Sequence, residues 1–130
     1  MTSSRVLKPL FWVGSALREI RAFPLAVRRQ VGFALYLAQR GEKHVDAKPL
    51  KGFGGAGVLE LVEDHDGNTY RAVYTVRLAG AVYALHAFQK KSKKAIRTPK
   101  KHLDLIRDRL RRAEQHHREL QKDIFRSDDD

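Results

Sequence analysis

The chain has 130 residues, 42% of them hydrophobic, with 26 Lys and Arg against 15 Asp and Glu, a net charge of +11 and no cysteine. That length suits one domain with a sizeable apolar core; it is short for two, and the apolar share is too high for a disordered tail. The missing cysteine excludes a disulfide framework, a zinc ribbon and a thiol nucleophile.

The first stretch, Met1 to Arg21, contains no long apolar run, and Leu10 to Val13 is too short for a signal core or a membrane span. A cytoplasmic protein is the expectation. Residues 8–13, with Pro9 suited to an edge, read as extended or strand-like. Ser15 is a helix cap, and the helix runs to Arg21 or Ala22. Pro24 stops it and suits the first turn of a second helix reaching about Arg40. Val27, Val31, Ala34, Leu35 and Ala38 recur there at helical spacing, and Gly41 suits the position just past its end. These two helices form an α-hairpin.

Residues 46–57 read as a loop holding Gly52, Gly54, Gly55 and Gly57. A glycine-rich loop cradles phosphate only where it opens a helix, and this one leads into a strand. Its expected role is a connection carrying Lys48 and Lys51 near a sheet. Val58 to Glu63 is a strand, Asp64 to Asn68 a turn, and Tyr70 to Arg77 a second strand. Ala79-Gly80 turns into a third strand, Ala81 to Phe88. Thr98-Pro99 heads a last helix, with Leu103, Ile106, Leu110 and Ala113 as its apolar stripe. The reading is an α+β fold: an N-terminal α-hairpin on a small antiparallel sheet of three or four strands, with a C-terminal helix. One sheet face packs on the hairpin and the other stays open for a ligand. The domain spans residues 1–126, and the acidic tail 127–130 is expected to fray.

Charge is unevenly spread. Residues 48–85 carry no net charge, whereas residues 86–118 carry 12 basic and 3 acidic groups. Such a concentration points to a polyanionic partner. It begins at Phe88-Gln89-Lys90-Lys91-Ser92-Lys93-Lys94, where lysines leaving a strand end suit phosphate and Phe88 offers a ring for base stacking or for the core.

Arg71 and His86 lie inside otherwise apolar strands, where an unpaired charge is costly. Either Arg71 pairs with Glu60 on the neighbouring strand, or the pair does chemistry. RNA cleavage by an internal 2′-hydroxyl needs a base, an acid and cations around phosphorus. His86 suits proton transfer, Arg71 a two-donor grip on phosphate, and Lys90 and Lys91 added charge; Tyr74 and Glu60 are weaker candidates. This route needs no metal and no cofactor. The remaining histidines, His44, His65, His102, His116 and His117, read as solvated.

Taken together, Lys48-Pro-Leu-Lys51-Gly, Val58-Leu-Glu-Leu61, Tyr70-Arg-Ala-Val-Tyr74 and Leu85-His-Ala-Phe-Gln-Lys-Lys-Ser92 follow a familiar order. Over about residues 8–115 the chain resembles the RelE/ParE superfamily of type II toxins, in its phage-derived, HigB-like branch. The stretch Lys94 to Arg97 lengthens the lead into the last helix relative to that pattern. The resemblance implies a RelE-like fold and a ribosome-dependent mRNA endoribonuclease that inhibits translation. It also implies neutralisation by a cognate antitoxin, often of helix-turn-helix type. Carried over by position, Arg71 contacts the scissile phosphate. His86, Lys90 and Lys91 line the cleavage site, and Lys48 and Lys51 hold RNA, with Phe88, Lys93, Lys94 and Arg97 as further expected RNA contacts. The alternatives are a ParE-like inhibitor of DNA gyrase and a non-catalytic, basic nucleic-acid-binding phage protein.

Overall fold

The computed structural model describes residues 6–90 and 97–128. In chain order the elements are β1 (Leu10–Trp12), α1 (Ala16–Arg21), α2 (Leu25–Gln39), β2 (Ala47–Pro49), β3 (Val58–His65), β4 (Asn68–Thr75), β5 (Val82–Lys90) and α3 (Lys100–Asp128). The α+β, RelE-like arrangement expected from the sequence is what the chain adopts. Among the described residues no helix is long and apolar enough to cross a membrane.

The second helix buries the five residues its periodicity picks out. It ends as expected at Gly41, whose φ of 82° lets Gly41 and Glu42 donate back to Ala38 and Leu37. Ser15 precedes α1 but makes no side-chain cap; its hydroxyl donates to Glu19 instead. The turn between β3 and β4 is tighter than the expected Asp64 to Asn68. Both strands extend to a His65–Asn68 pair, leaving Asp66 and Gly67 at positive φ. That two-residue geometry matches strand twist, and an Asp-Gly pair favours it.

The sheet has five strands in the order β1-β5-β4-β3-β2, not three or four. Part of the expected loop 46–57 is β2, antiparallel to β3, and β1 runs parallel to β5. Both are three-residue edge strands; β1 lies within the stretch read as strand-like, whereas β2 is too short for a period-2 signal to stand out. β5 is the inner strand of the β1 side, and eight of its nine residues are buried.

The open sheet face expected for a ligand is not open. Tyr70, Ala72, Tyr74, Val82, Ala84 and Ala87 form one core with α1 and α2. Val58, Val73, Tyr83 and Leu85 form a second core beneath Ile106, Leu110 and Ala113 of α3, joined by Leu50 and Phe53 from the glycine-rich loop. The apolar stripe of α3 had to be buried somewhere, and this face was its partner.

A β-bulge changes which residues of β5 share a side. Tyr74 pairs with Ala84 but Val73 pairs with His86, so Leu85 is the extra residue. Val82 and Ala84 therefore face α1 and α2, while His86 and Phe88 face α3. Strict alternation would place all four on one side.

A polar cluster under the start of helix α3

Rows of cross-strand partners on the α3 side assemble the candidate site. One row reads Lys48, Glu60, Val73, His86; the next Val62, Arg71, Phe88; the third Asp64, Thr69, Lys90. Residues paired this way have side chains on the same face. The structure thus brings Arg71, His86, Phe88, Lys90 and Glu60 together on one side of the sheet.

Each is covered from above by residues at the start of α3. Arg71, 6% exposed, donates to Glu60 at 2.7 Å and to Thr98 at 3.3 Å, and the Thr98 hydroxyl in turn donates to Glu60. Thr98 stands just ahead of α3, and its side chain closes this triangle. Lys90, 7% exposed, donates to the Arg97 carbonyl at 2.7 Å. Burial and the nearby Arg71 guanidinium pull its pKa below the usual lysine value, with Glu60 partly offsetting them. The ring of Phe88 is buried and stacks on His102 at 3.7 Å, so it is not an exposed platform for a base.

His86, 4% exposed, sits between two partners. Its Nδ1 lies 2.9 Å from Glu19 Oε1 and its Nε2 lies 2.7 Å from His102 Nδ1. Glu19 on α1 is the hub of this half of the cluster. It accepts from Ser15, from the Ala87 amide and twice from Arg109, which also reaches the Leu85 carbonyl at the bulge. Burial pushes the Glu19 carboxyl up, but the hydrogen bonds from His86, Arg109 and Ser15 outweigh it and hold the group well below the usual carboxylate range.

Tyr74 does not join these groups. It faces α2 within the other core, its buried hydroxyl lacks a hydrogen-bond partner among the described residues, and burial pushes its pKa up to about 12. Tyr74→Phe should therefore raise stability slightly, by up to about 1 kcal/mol, read as a higher melting midpoint. Lys48 is exposed beside Glu60 on the site's side of β2, and Lys51 is exposed in the following loop. The Arg97 side chain is exposed at the rim. Lys91, Lys93 and Lys94 lie outside the described residues.

Sequence spacing missed Glu19, Thr98, His102 and Arg109 as members. Arg109 had a signal: it follows Ile106 by three and precedes Leu110, so it interrupts the inward stripe of α3. Three other histidines read as solvated are also engaged. The His116 ring bonds to the Tyr83 hydroxyl, His117 bonds to the Ala79 carbonyl, and His44 is buried.

His44, Asp46 and Glu63 bring potential metal ligands within 4.8 Å of one another. The His44 ring accepts from the Asp46 amide at Nδ1 and lies 3.1 Å from the Gln30 side-chain oxygen at Nε2. With both nitrogens engaged it has no lone pair for an ion in this arrangement. Burial and the neighbouring Asp46 carboxylate push Glu63 up to about 7. The folded state thus holds a proton there that the unfolded chain releases near 4.5, so stability falls as pH rises from 4.5 to 7. Glu63→Gln should melt higher than the parent at pH 8 and equally at pH 4.

Residues 18–111 match the family model described as Phage derived protein Gp49-like (DUF891). The chain belongs to this Gp49-like family. No curated protein and no solved structure matches it. The Gp49-like region runs from just before Glu19 to just past Arg109, so the cluster lies inside it apart from Ser15.

Proposed function

We propose that this Gp49-like protein is the toxin of a type II toxin–antitoxin pair and inhibits translation by cutting messenger RNA on the ribosome. The observation that carries the reading is the gathering of Arg71, His86 and Lys90 on one sheet face, beside the most basic stretch of the chain. Two cations and an imidazole are the set that 2′-hydroxyl attack on phosphorus requires. Arg71 and Lys90 offset charge at phosphorus, and the His86 side of the cluster handles the proton. Exposed Lys48 and Arg97 steer the RNA strand to the rim. In the arrangement described, an incoming phosphate must displace the Thr98 hydroxyl from Arg71. A net charge of +11 suits an acidic or groove-filling antitoxin, of the helix-turn-helix type that the resemblance implies.

A second reading is favoured by one contact. The Arg71–Glu60 ion pair neutralises the guanidinium, as a purely structural arginine would require. On that reading the protein only binds, as a gyrase inhibitor or a nucleic-acid-binding protein. A reconstituted translation reaction with mapped mRNA ends, run beside a gyrase supercoiling assay, separates the two. Cleaved message with normal supercoiling is the expected result. Intact message with blocked supercoiling would overturn the proposal.

A further inference from the structure

His102 is the outermost of three hydrogen-bonded groups. Glu19 Oε1 lies 2.9 Å from His86 Nδ1, and His86 Nε2 lies 2.7 Å from His102 Nδ1. An ionised carboxylate can only accept, so His86 Nδ1 carries a hydrogen toward Glu19 at 2.9 Å, and the Arg109 guanidinium 3.3 Å from the same nitrogen is a contact without a hydrogen bond. In neutral His86 the Nε2 is then a lone pair, and His102 must donate to it from Nδ1. The single ring hydrogen of neutral His102 is thereby fixed on Nδ1, and its Nε2 presents a lone pair. That Nε2 has no hydrogen-bond partner among the described residues, and the ring is only partly buried, whereas His86 is 4% exposed. Stacking on Phe88 at 3.7 Å, with ring planes 8° apart, sets the direction in which Nε2 points. Serial hydrogen bonding of this kind orients a catalytic imidazole through the group behind it.

We propose that His102 is the catalytic base of the RNA cleavage put forward above, with Glu19 and His86 as positioning residues that fix its tautomer. The proposal rests on that reading. His102 Nε2 takes the 2′ proton, the freed electron pair forms the 2′-oxygen–phosphorus bond, and the bond from phosphorus to the 5′ oxygen breaks. The departing oxygen takes a proton from water, and the resulting hydroxide is neutralised by the proton on His102. The products are a 2′,3′-cyclic phosphate and a 5′-hydroxyl end.

The groups facing His102 are His86 and Phe88 from β5, Glu19 from α1 and Lys101 on its own helix. Burial above all holds its pKa down, to about 4. The lone pair is therefore free at neutral pH, as a base requires.

Two measurements on the full chain test this. In nitrogen NMR of histidine-labelled protein at pH 7, His102 should carry its proton on Nδ1 and none on Nε2. In the translation reaction, His102→Ala should cut about 100-fold more slowly while still unfolding cooperatively above the assay temperature, and added imidazole should restore part of the rate. A proton found on Nε2, or a His102→Ala rate within about threefold of a parent that cuts, overturns this proposal alone. A parent protein that cuts no RNA overturns the reading above and takes this proposal with it.

Discussion

Glu19→Ala should lower the unfolding free energy by about 3–5 kcal/mol, the usual cost of removing one partner from a buried ion pair. Arg109 is 6% exposed, and both terminal nitrogens of its guanidinium are directed at the Glu19 carboxylate. Without that carboxylate the cation keeps, among the described residues, Ser15 and the Leu85 carbonyl as acceptors, together with its approach to His86. The Ala87 amide, on the outer edge of β5 past the end of β1, loses its acceptor as well. Urea unfolding measures the loss, and a decrease below about 1 kcal/mol would show that Glu19 is not what holds α1, β5 and α3 together.

The same node sets a pH dependence. The folded pKa of Glu19 is depressed, so its contribution is complete above the ordinary value of 4.5 and is lost as pH falls further. His102 acts earlier. It resists a proton in the folded state down to about pH 4, while the unfolded chain accepts one near 6.5, so stability already declines between 6.5 and 4. In the parent the Glu63 contribution opposes that decline over nearly the same range, so the two stages of loss on acidification should show in the Glu63→Gln variant. Adding His102→Ala to that variant should leave only the lower stage.

Arg71→Ala should reduce RNA cleavage about 10²- to 10³-fold, the effect of removing one charge-stabilising donor group from a reaction centre. Arg71→Lys should recover little, because a point charge cannot replace the two-donor fork. The single alanine variant also strands Glu60, which is only about one-eighth exposed, so lost folding could mimic lost chemistry. Replacing both members by methionine removes that ambiguity. A buried ion pair exchanged for apolar side chains of similar volume costs little stability. The double variant Glu60→Met/Arg71→Met should therefore remain folded and cut no message. If it cuts at the parental rate, Arg71 serves the fold alone.

Much of this protein was legible along the chain because its causes are local. Periodicity marked the inward faces of α2 and α3, Asp66-Gly67 marked the hairpin turn, and the polar interruptions Arg71 and His86 marked the strands of the candidate site. What misled was alternation carried past Leu85, since a bulge leaves no signature in residue types. The three-residue strand β2, within a stretch read as loop, was similarly too brief to read.

Sequence by itself determined the helices and the three long strands, and that a charge-rich stretch follows the last strand, because propensity and spacing act within a few residues. Only tertiary structure decided that α3 closes over the second sheet face. That closure buried Arg71 and Lys90 and joined Glu19 to Arg109 across 90 positions of chain. Partners so far apart are chosen by packing, since a buried charge must find its counterion wherever the folded surfaces bring one within reach.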